Sequence, residues 1–327
     1  MSANPRLRAL LALFAALALV LTVAACGDDS SSDSSSTSAS SSDKLIQENT
    51  DNNGVKLTVG SKNFTEQYIL GEIYAQALEA AGYDVSTDLN LGDAHVALKA
   101  LEAGEISGYP EYTSTALTDL FGFAPEDVPG DPQQALDAAQ GDLSDKGLTA
   151  YEPTSFSSAN AVGLLSSTAD KLGVSTISDL EGKSQDLTLY GSPECRQRID
   201  CLVGLEQNYG LDFKSFTPVD IGLRYEVLDK GDADLSILFT TDAQLFVSDK
   251  YTILEDDKHV IPAGNIIFIA DQDVADKAGP DFASTIEKVQ GDLSLEVMQE
   301  LNARVAVDKE KPEDAAAEYL KQFGYIE

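Results

Sequence analysis

The chain has 327 residues, of which 55 are acidic and 22 are lysine or arginine, so its formal net charge is −33. A chain this acidic repels the phosphate backbone of nucleic acids, which argues against DNA or RNA as a partner. The length exceeds what one minimal core needs and suits a folded region of two lobes.

The first 25 residues are typical of a secretory signal and are not expected to belong to the fold. Arg6 and Arg8 form a basic start, and the following apolar run is too short and too abruptly ended for a membrane span. The run ends in VAACG, which resembles the bacterial lipobox. That resemblance implies cleavage before Cys26 and its lipidation, which would hold the protein on the outer face of the bacterial cell membrane. An ordinary signal peptide with an incidental cysteine is the alternative.

A serine-rich segment follows the cysteine. Residues 27–42 contain ten serines and three aspartates. They show no hydrophobic periodicity and cannot bury enough apolar surface to fold. Together with residues 43–54 they are predicted to form a flexible tether of roughly 28 residues that spans roughly 30 Å. The globular part is therefore expected to begin at about residue 55.

Apolar periodicity predicts alternating strands and helices across residues 55–327. The predicted strands are 55–59, 85–91, 107–109, 159–165, 187–190, 235–239 and 266–270. The predicted helices are 63–81, 93–104, 114–121, 132–143, 176–180, 202–209, 223–228, 280–292, 294–304 and 312–323. Asn63 and Glu66 suggest a capping box at the start of the first helix, and Gly82 suggests its end. The alternation predicts an α/β protein with largely parallel sheets.

Cys195 and Cys201 are the two cysteines that remain after Cys26 is assigned to lipid. In an oxidising compartment such a pair favours a disulfide, and so short a loop would stabilise the fold by about 2 kcal/mol. A metal site with two thiolates is the alternative. It needs further ligands, and the only histidines, His95 and His259, lie far away in sequence, so no metal is predicted.

No established catalytic motif is present in the sequence. The chain lacks a Gly-x-Ser-x-Gly elbow, an HExxH helix, a phosphate-binding loop and a Gly-x-Gly-x-x-Gly turn. Solvated surface is the expected setting of both histidines. The sequence therefore predicts no enzyme activity, no catalytic residue and no cofactor, although an extracellular enzyme that uses a cleft is an open alternative.

Lys62 stands in the turn between the first strand and the first helix, in the stretch VGSKNFTEQ. The N-terminus of a helix carries partial positive charge and unpaired N–H groups, which suits an anion. Lys62 beside it could bind the carboxylate of a ligand. A lysine that simply faces solvent is the alternative.

Several stretches, in this order, resemble the glycine betaine/carnitine/choline-binding proteins of ABC importers. The first is VGSKNFTEQYILGEIYAQALEAAGYDV, and the second is Glu-Tyr-Thr-Ser-Thr at residues 111–115. The others are Arg-Ile-Asp at 198–200 before Tyr-Gly at 209–210, then GLRYEVL, Thr-Asp at 241–242 and LEDDK at 254–258. The resemblance covers about residues 55–327, and the motifs are specific as a set.

The resemblance implies an α/β, two-lobed fold of the type II periplasmic-binding-protein kind, with the ligand in the cleft between the lobes. Lobe one would comprise residues 55–155 and 262–327, and lobe two the inserted residues 156–261. In the family one half of the site clamps a carboxylate, and Lys62, Thr115 and Arg198 match that half. An arginine suits this role because its planar guanidinium can bind a carboxylate through two hydrogen bonds.

The second half of the family's site is a cage of aromatic rings around a quaternary ammonium, held by cation–π attraction. Tyr112 matches one ring, and Phe239 stands where another tyrosine is usual. The alignment puts Asn160 at a third ring position and Ser158 at an acidic position. Gly264 falls at the last tyrosine. Asn160, with Asn265 beside Gly264, could instead give hydrogen bonds to a larger or more polar ligand.

The resemblance therefore implies a binding protein that captures a small zwitterion or carboxylate and delivers it to an ABC permease, driven by a separate ATPase. The predicted binding residues are Lys62, Tyr112, Thr115, Asn160, Arg198, Phe239 and Asn265. A disulfide between the cysteines that flank Arg198 would also stiffen the loop that carries it. The alternatives are a sensor or adhesin module on the same fold, or a receptor for a larger carboxylated or aromatic solute.

Overall fold

The computed structural model of the protein describes residues 44–327. The expected signal, the lipidated Cys26 and the serine-rich segment lie outside the described residues. The strands are β1 (Lys56–Gly60), β2 (Asp84–Asp88), β3 (Gly108–Tyr112), β4 (Leu148–Ala150), β5 (Ser157–Ser158), β6 (Asn160–Leu165), β7 (Thr188–Gly191), β8 (Ser215–Pro218), β9 (Leu235–Phe239), β10 (Tyr251–Ile253) and β11 (Gly264–Asp271).

The helices alternate with these strands. They are α1 (Thr65–Ala80), α2 (Ala94–Glu102), α3 (Thr113–Thr115), α4 (Pro132–Asp145), α5 (Ser166–Leu172), α6 (Leu202–Tyr209), α7 (Arg224–Lys230), α8 (Ala243–Val247), α9 (Gln272–Ala278), α10 (Pro280–Gln290), α11 (Leu295–Ala306) and α12 (Pro312–Gln322). A π-helical turn, Ala116–Leu120, continues directly from α3. No helix within residues 44–327 combines the length and the apolar character that crossing a membrane requires.

The strands form two sheets, as a two-lobed α/β fold requires. The first has the order β2-β1-β3-β11-β4, with β5 paired to β11, and the second has the order β10-β6-β9-β7-β8. Strand β1 pairs in parallel with β2 and β3, and β7 pairs in parallel with β8 and β9. Strand β11 runs antiparallel to β3, β4 and β5, and β6 runs antiparallel to β9 and β10.

The expectation of largely parallel sheets is therefore wrong, because both sheets are mixed. The chain leaves the first sheet after β5, builds the second sheet and returns as β11 in the opposite direction to β3. An apolar run such as Ile266–Ala270 is buried in either direction, so its composition does not reveal which way it runs.

Each sheet has its own buried apolar cluster. On the first sheet α1 packs through Ile69, Leu70 and Ile73, with the C-terminal helices α10, α11 and α12 against it. On the second sheet the cluster includes Leu189 and Leu205. Further clusters lie on both sheets, so each sheet is covered by apolar packing of its own, as two lobes require. The last residues of the chain, including Tyr325, belong to the first cluster.

The folded region begins earlier than the sequence indicated. Lys44 pairs with Asp292, the backbone N–H of Ile46 donates to the carbonyl of Tyr325, and Ile46 is buried in the first core. Residues 44–54 therefore pack on the domain, and the expected end of the tether at residue 54 is wrong. Their polar sequence gave no local signal, because the burial of Ile46 depends on the distant C-terminal segment.

The start of α1 also differs from the prediction. Phe64 is its N-cap residue, and no side chain caps the helix, so the expected box of Asn63 and Glu66 does not form. Glu66 instead points into the protein and is buried. The expected end of the helix holds, since Gly82 has a φ of +101° just beyond α1. The side chain of Asp93 caps α2.

Candidate functional site

One pocket gathers six of the seven predicted binding residues. Its lining includes Lys62, Tyr112, Thr115, Asn160, Arg198 and Phe239. Lys62 follows β1 and Thr115 ends α3, so both come from segments joined to the first sheet. Asn160 begins β6, Phe239 ends β9 and Arg198 follows β7 on the second sheet. The pocket thus lies between segments attached to the two sheets.

Asn265 is the predicted residue that lies outside this pocket. Its side-chain amide donates to the carbonyls of Thr154 and Phe156 at 2.9 and 3.0 Å, and its backbone N–H donates to Thr113. Both hydrogens of the side-chain amide are therefore bonded to the segment through which the chain leaves the first sheet. This placement gives Asn265 a structural role, and the predicted contact with ligand is not supported.

Lys62 forms a buried ion pair with Glu111. The side chain of Lys62 is 6% exposed and that of Glu111 is fully buried. Glu111 also accepts hydrogen bonds from the backbone N–H of Tyr112 at 2.8 Å and from the hydroxyl of Tyr109 at 3.3 Å. Burial lowers the pKa of Lys62, and the negative charge of Glu111 opposes this shift. Lys62 is thus fixed in the pocket wall rather than extended into solvent.

Arg198 is held by two carboxylates and a hydroxyl. Its Nε and Nη2 atoms donate to the two oxygens of Asp200 at 2.7 and 2.5 Å. Its Nη1 atom lies 3.3 Å from Asp119, and Nη2 lies 3.5 Å from the hydroxyl of Thr115. Burial alone would lower the pKa of Arg198, but the attraction of Asp200 and Asp119 outweighs it and raises the pKa. The amide of Asn160 donates to Asp200 and steadies the same group.

The predicted disulfide between Cys195 and Cys201 is confirmed, with an S–S distance of 1.94 Å. Both cysteines are buried and line the pocket, with Arg198 inside the loop that they close. The bond consumes both thiols, which excludes the alternative of a metal site with two thiolates. It also fixes the ends of the segment from which Arg198 reaches the pocket.

Three aromatic rings face the pocket, one of which the sequence reasoning missed. Phe64 stacks on Tyr112 with ring centres 6.3 Å apart and meets Phe239 at 5.1 Å. The Nζ atom of Lys62 lies 4.6 Å from the centre of the Tyr112 ring, and the guanidinium of Arg224 lies 4.0 Å from that of Phe239. Phe64 is the ring that was not predicted. It lies two residues after Lys62, and this closeness in sequence was the available indication that it also lines the pocket.

The two remaining cage positions carry no ring, and the structure explains one of them. A Cβ atom on Gly264 would lie 2.3 Å from the hydroxyl oxygen of Ser114 and 2.6 Å from its backbone nitrogen. No side chain fits there without moving α3.

Ser158, at the acidic position of the family's pattern, is buried and shares a hydrogen bond of 3.0 Å with Thr241.

Glu66 supports the pocket from behind. Its carboxylate accepts a hydrogen bond from the Tyr112 hydroxyl and one from the amide of Asn302 at 2.8 Å. Asn302 also donates to the carbonyl of Thr241 at 3.0 Å. Burial raises the pKa of Glu66, and these hydrogen bonds oppose the shift. A network therefore runs from α1 through Glu66 to the chain that follows β9.

The last three motifs of the resemblance, GLRYEVL, Thr-Asp and LEDDK, make hydrogen bonds within the protein that hold the chain around the pocket. Asp242 accepts hydrogen bonds from Arg224, from the hydroxyl of Tyr225 and from the backbone N–H of Phe239. The GLRYEVL helix and the Thr-Asp pair therefore meet around Phe239. Asp256, in the LEDDK run, accepts from the hydroxyl of Tyr209 and from backbone N–H groups where the chain turns back toward the first sheet.

Residues 55–322 match the model of a protein family described as the substrate-binding domain of ABC-type glycine betaine transport systems. The chain belongs to this family. The family's description names substrate binding for a transport system rather than a chemical reaction.

Relatives of known role support the membership. A glycine-betaine-binding protein of Pseudomonas aeruginosa is 31% identical over 286 residues, covering 83% of this chain and 89% of that protein. The ergothioneine transport permease/ergothioneine binding protein EgtU of Helicobacter pylori is 28% identical over 270 residues, covering 82% of this chain and 48% of that longer protein. A crystal structure described as a glycine betaine/carnitine/choline ABC transporter has a TM-score of 0.64 and 27% identity, covering 82% of this chain and 99% of the other.

Proposed function

We propose that this protein is the lipid-anchored receptor of an ABC importer and that it captures a small quaternary ammonium solute outside the cell membrane. The single observation that carries the proposal is the meeting of Lys62 and Arg198 with the rings of Phe64, Tyr112 and Phe239 in one pocket. Aromatic faces attract a quaternary ammonium, and arginine and lysine attract a carboxylate.

We also propose which lobes close on the ligand, and the two sheets support the assignment. We assign residues 55–155 and 262–327 to the first lobe and residues 156–261 to the second, with two adjustments. Residues 44–54 join the first lobe, and β5 still pairs with β11, so the crossing lies at Ala159. Closure about these crossings would bury the ligand and present both lobes to a permease, whose transport an ATPase subunit would drive.

The relatives support glycine betaine-like solutes as the ligand class. A larger betaine that carries an aromatic ring is the second candidate, because Asn160 lines the pocket where the family's pattern has a ring, and one relative is named for ergothioneine. In both cases we propose that the protein releases the ligand chemically unchanged, because no bond of the ligand is broken. Incubation with each ligand followed by mass analysis should therefore recover it intact.

A thermal-shift screen of the purified protein tests the ligand class. The panel contains glycine betaine, carnitine, proline betaine, choline, ectoine and ergothioneine, with glycerol and urea as uncharged controls. A ligand that binds only the folded state raises the Tm by mass action. We expect quaternary ammonium compounds to raise it and the controls to leave it unchanged. A panel in which no quaternary ammonium compound raises the Tm would overturn the proposed function.

A further inference from the structure

Both cations in the pocket are already paired with carboxylates of the protein. Lys62 pairs with Glu111, and Arg198 pairs with Asp200 and Asp119. These five groups carry two positive and three negative charges, so their combined formal charge is −1. A ligand carboxylate that enters this cluster adds another negative charge to a site that already has one in excess.

Asp119 differs from the other two carboxylates in its position. Asp200 stands two residues after Arg198 and holds the Nε and Nη2 atoms as part of the same loop. Asp119 lies in the π-helical turn after α3, on the chain of the first sheet, and its Oδ2 atom is 3.3 Å from Nη1 of Arg198. Its Oδ1 atom lies 3.6 Å from Nε2 of His95, and its side chain is 12% exposed.

The guanidinium therefore has little capacity left for a ligand. Nε and Nη2 are committed to Asp200, a second contact of Nη2 reaches Thr115, and Asp119 approaches Nη1. A ligand carboxylate that binds Nη1 must take the place of Asp119 or lie beside it. Two carboxylates that share one cation repel each other at such distances. A cationic ligand without a carboxylate meets no such conflict.

We propose that Asp119 is a specificity-determining residue that competes with the ligand's carboxylate for Arg198. The inference rests on the proposed function, because it concerns which member of the quaternary ammonium class the pocket prefers. Asp119 disfavours zwitterions such as glycine betaine relative to cations such as choline. Specificity of this kind comes from a repulsive element directed against one ligand as much as from attraction to another.

The test is isothermal titration of the wild type and the Asp119→Asn variant with glycine betaine and with choline. Asparagine keeps the size of the side chain and can still accept a hydrogen bond from Arg198, but it carries no charge. Loss of the ion pair also changes how the two lobes hold together, and choline reports that effect because it has no carboxylate. The measured quantity is the ratio of the glycine betaine Kd to the choline Kd. We expect the variant to lower this ratio at least about tenfold.

Glu194→Gln is the matched control, because Glu194 and Asp119 line the same neighbouring cavity, while Glu194 forms no ion pair with Arg198 among residues 44–327. An unchanged ratio in the Asp119 variant, or an equal fall in the Glu194 variant, overturns the inference and leaves the proposed function standing. If neither ligand binds to any of the three proteins, the inferred competition is overturned, and the thermal-shift panel with the other quaternary ammonium compounds decides whether the proposed function stands. Asp119→Ser gives the same comparison if Asp119→Asn does not fold.

Discussion

The hydroxyl of Tyr112 donates a hydrogen bond to the buried carboxylate of Glu66, with 2.6 Å between the oxygens. The bond joins a ring of the pocket to the first turn of α1. Through Asn302 the same carboxylate is linked to the carbonyl of Thr241, beyond the end of β9. The orientation of the Tyr112 ring therefore depends on an acid that does not line the pocket around Lys62 and Arg198.

The first prediction concerns the pH dependence of stability. Burial raises the pKa of Glu66 above its ordinary value of 4.5, so the fold favours the protonated acid. That contribution is complete below pH 4.5 and is lost as the pH rises through the raised pKa. Glu66→Gln removes this titration. We expect the wild type to lose stability relative to the variant as the pH rises above 4.5, as measured by urea unfolding.

The control for this experiment is Glu79→Gln, an exposed position on the same helix. This variant shows what the loss of one exposed negative charge on α1 does to stability over the same pH range. A difference between the wild type and Glu66→Gln that does not change with pH would show that Glu66 titrates at its ordinary value.

The second prediction concerns Arg198. Arg198→Ala should weaken glycine betaine binding by at least about 1.5 kcal/mol, because a charged hydrogen-bond donor is lost and Asp119 and Asp200 remain unpaired. Titration calorimetry measures the change. Arg196→Ala is the matched control, since Arg196 lies two residues away, is exposed and contacts Phe216 instead of the pocket. Equal affinities of the wild type and Arg198→Ala would remove Arg198 from the site.

The sequence predicted those elements whose signals are local. Strand β9 and helix α6 begin and end where the apolar pattern predicts, and the three C-terminal helices lie within two residues of their predicted bounds. Short elements such as α9 were missed because Gln272–Ala278 has few apolar residues of its own. The direction of β11 and the burial of Ile46 depend on distant parts of the chain, so no local pattern could reveal them.

The candidate site shows the same division. The motif positions correctly predicted that Lys62, Thr115 and Arg198 lie in one pocket. Spacing did not reveal the distant carboxylates, Glu111 and Asp119, that pair with the two cations. Lys62 and Glu111 are 49 residues apart, and Asp119 precedes Arg198 by 79 positions. Lys62 and Glu111 meet because β1 and β3 pair in the first sheet, and Asp119 meets Arg198 only when segments of the two sheets come together. The sequence predicted that Lys62 and Arg198 bind the carboxylate of a ligand. In the structure, carboxylates of the protein already pair with both cations.

The third prediction concerns the disulfide. Replacing both Cys195 and Cys201 by serine should lower the free energy of unfolding by about 2 kcal/mol on the chain-entropy model. It should also weaken ligand binding, because the loop that carries Arg198 loses its fixed ends. Intact-mass analysis of the wild type should give two hydrogens fewer than the free thiols. Alkylation of both cysteines without reductant would contradict the bond, and unaltered ligand affinity in the double variant would deny it a role in positioning Arg198.

The fourth prediction concerns Phe64. Phe64→Leu keeps apolar bulk but removes a ring that stacks on Tyr112 and meets Phe239. We expect tetramethylammonium binding to weaken by about 0.5–2 kcal/mol, the range for one cation–π contact. Phe216→Leu is the control. The Phe216 ring lies on the second sheet, does not line the pocket and is in contact with Arg196. An equal loss in both variants would point to stability rather than to a contact with the cation.

The fifth prediction concerns Gly264, where the close approach of Ser114 leaves no room for a side chain. Gly264→Ala places a methyl group against the backbone nitrogen of Ser114, which cannot move without shifting α3. We expect a loss of about 1–3 kcal/mol in stability, as for other overpacked sites, measured by urea unfolding.

Gly130→Ala is the control for this change, because its added carbon would meet no atom within 4 Å. Its stability should remain close to that of the wild type. Since α3 carries Thr115 on the pocket, the Gly264 variant should also bind ligand more weakly than the control does. A Gly264→Ala protein with wild-type stability would mean that α3 has room to yield, and the close approach of Ser114 would then not explain the glycine at this position.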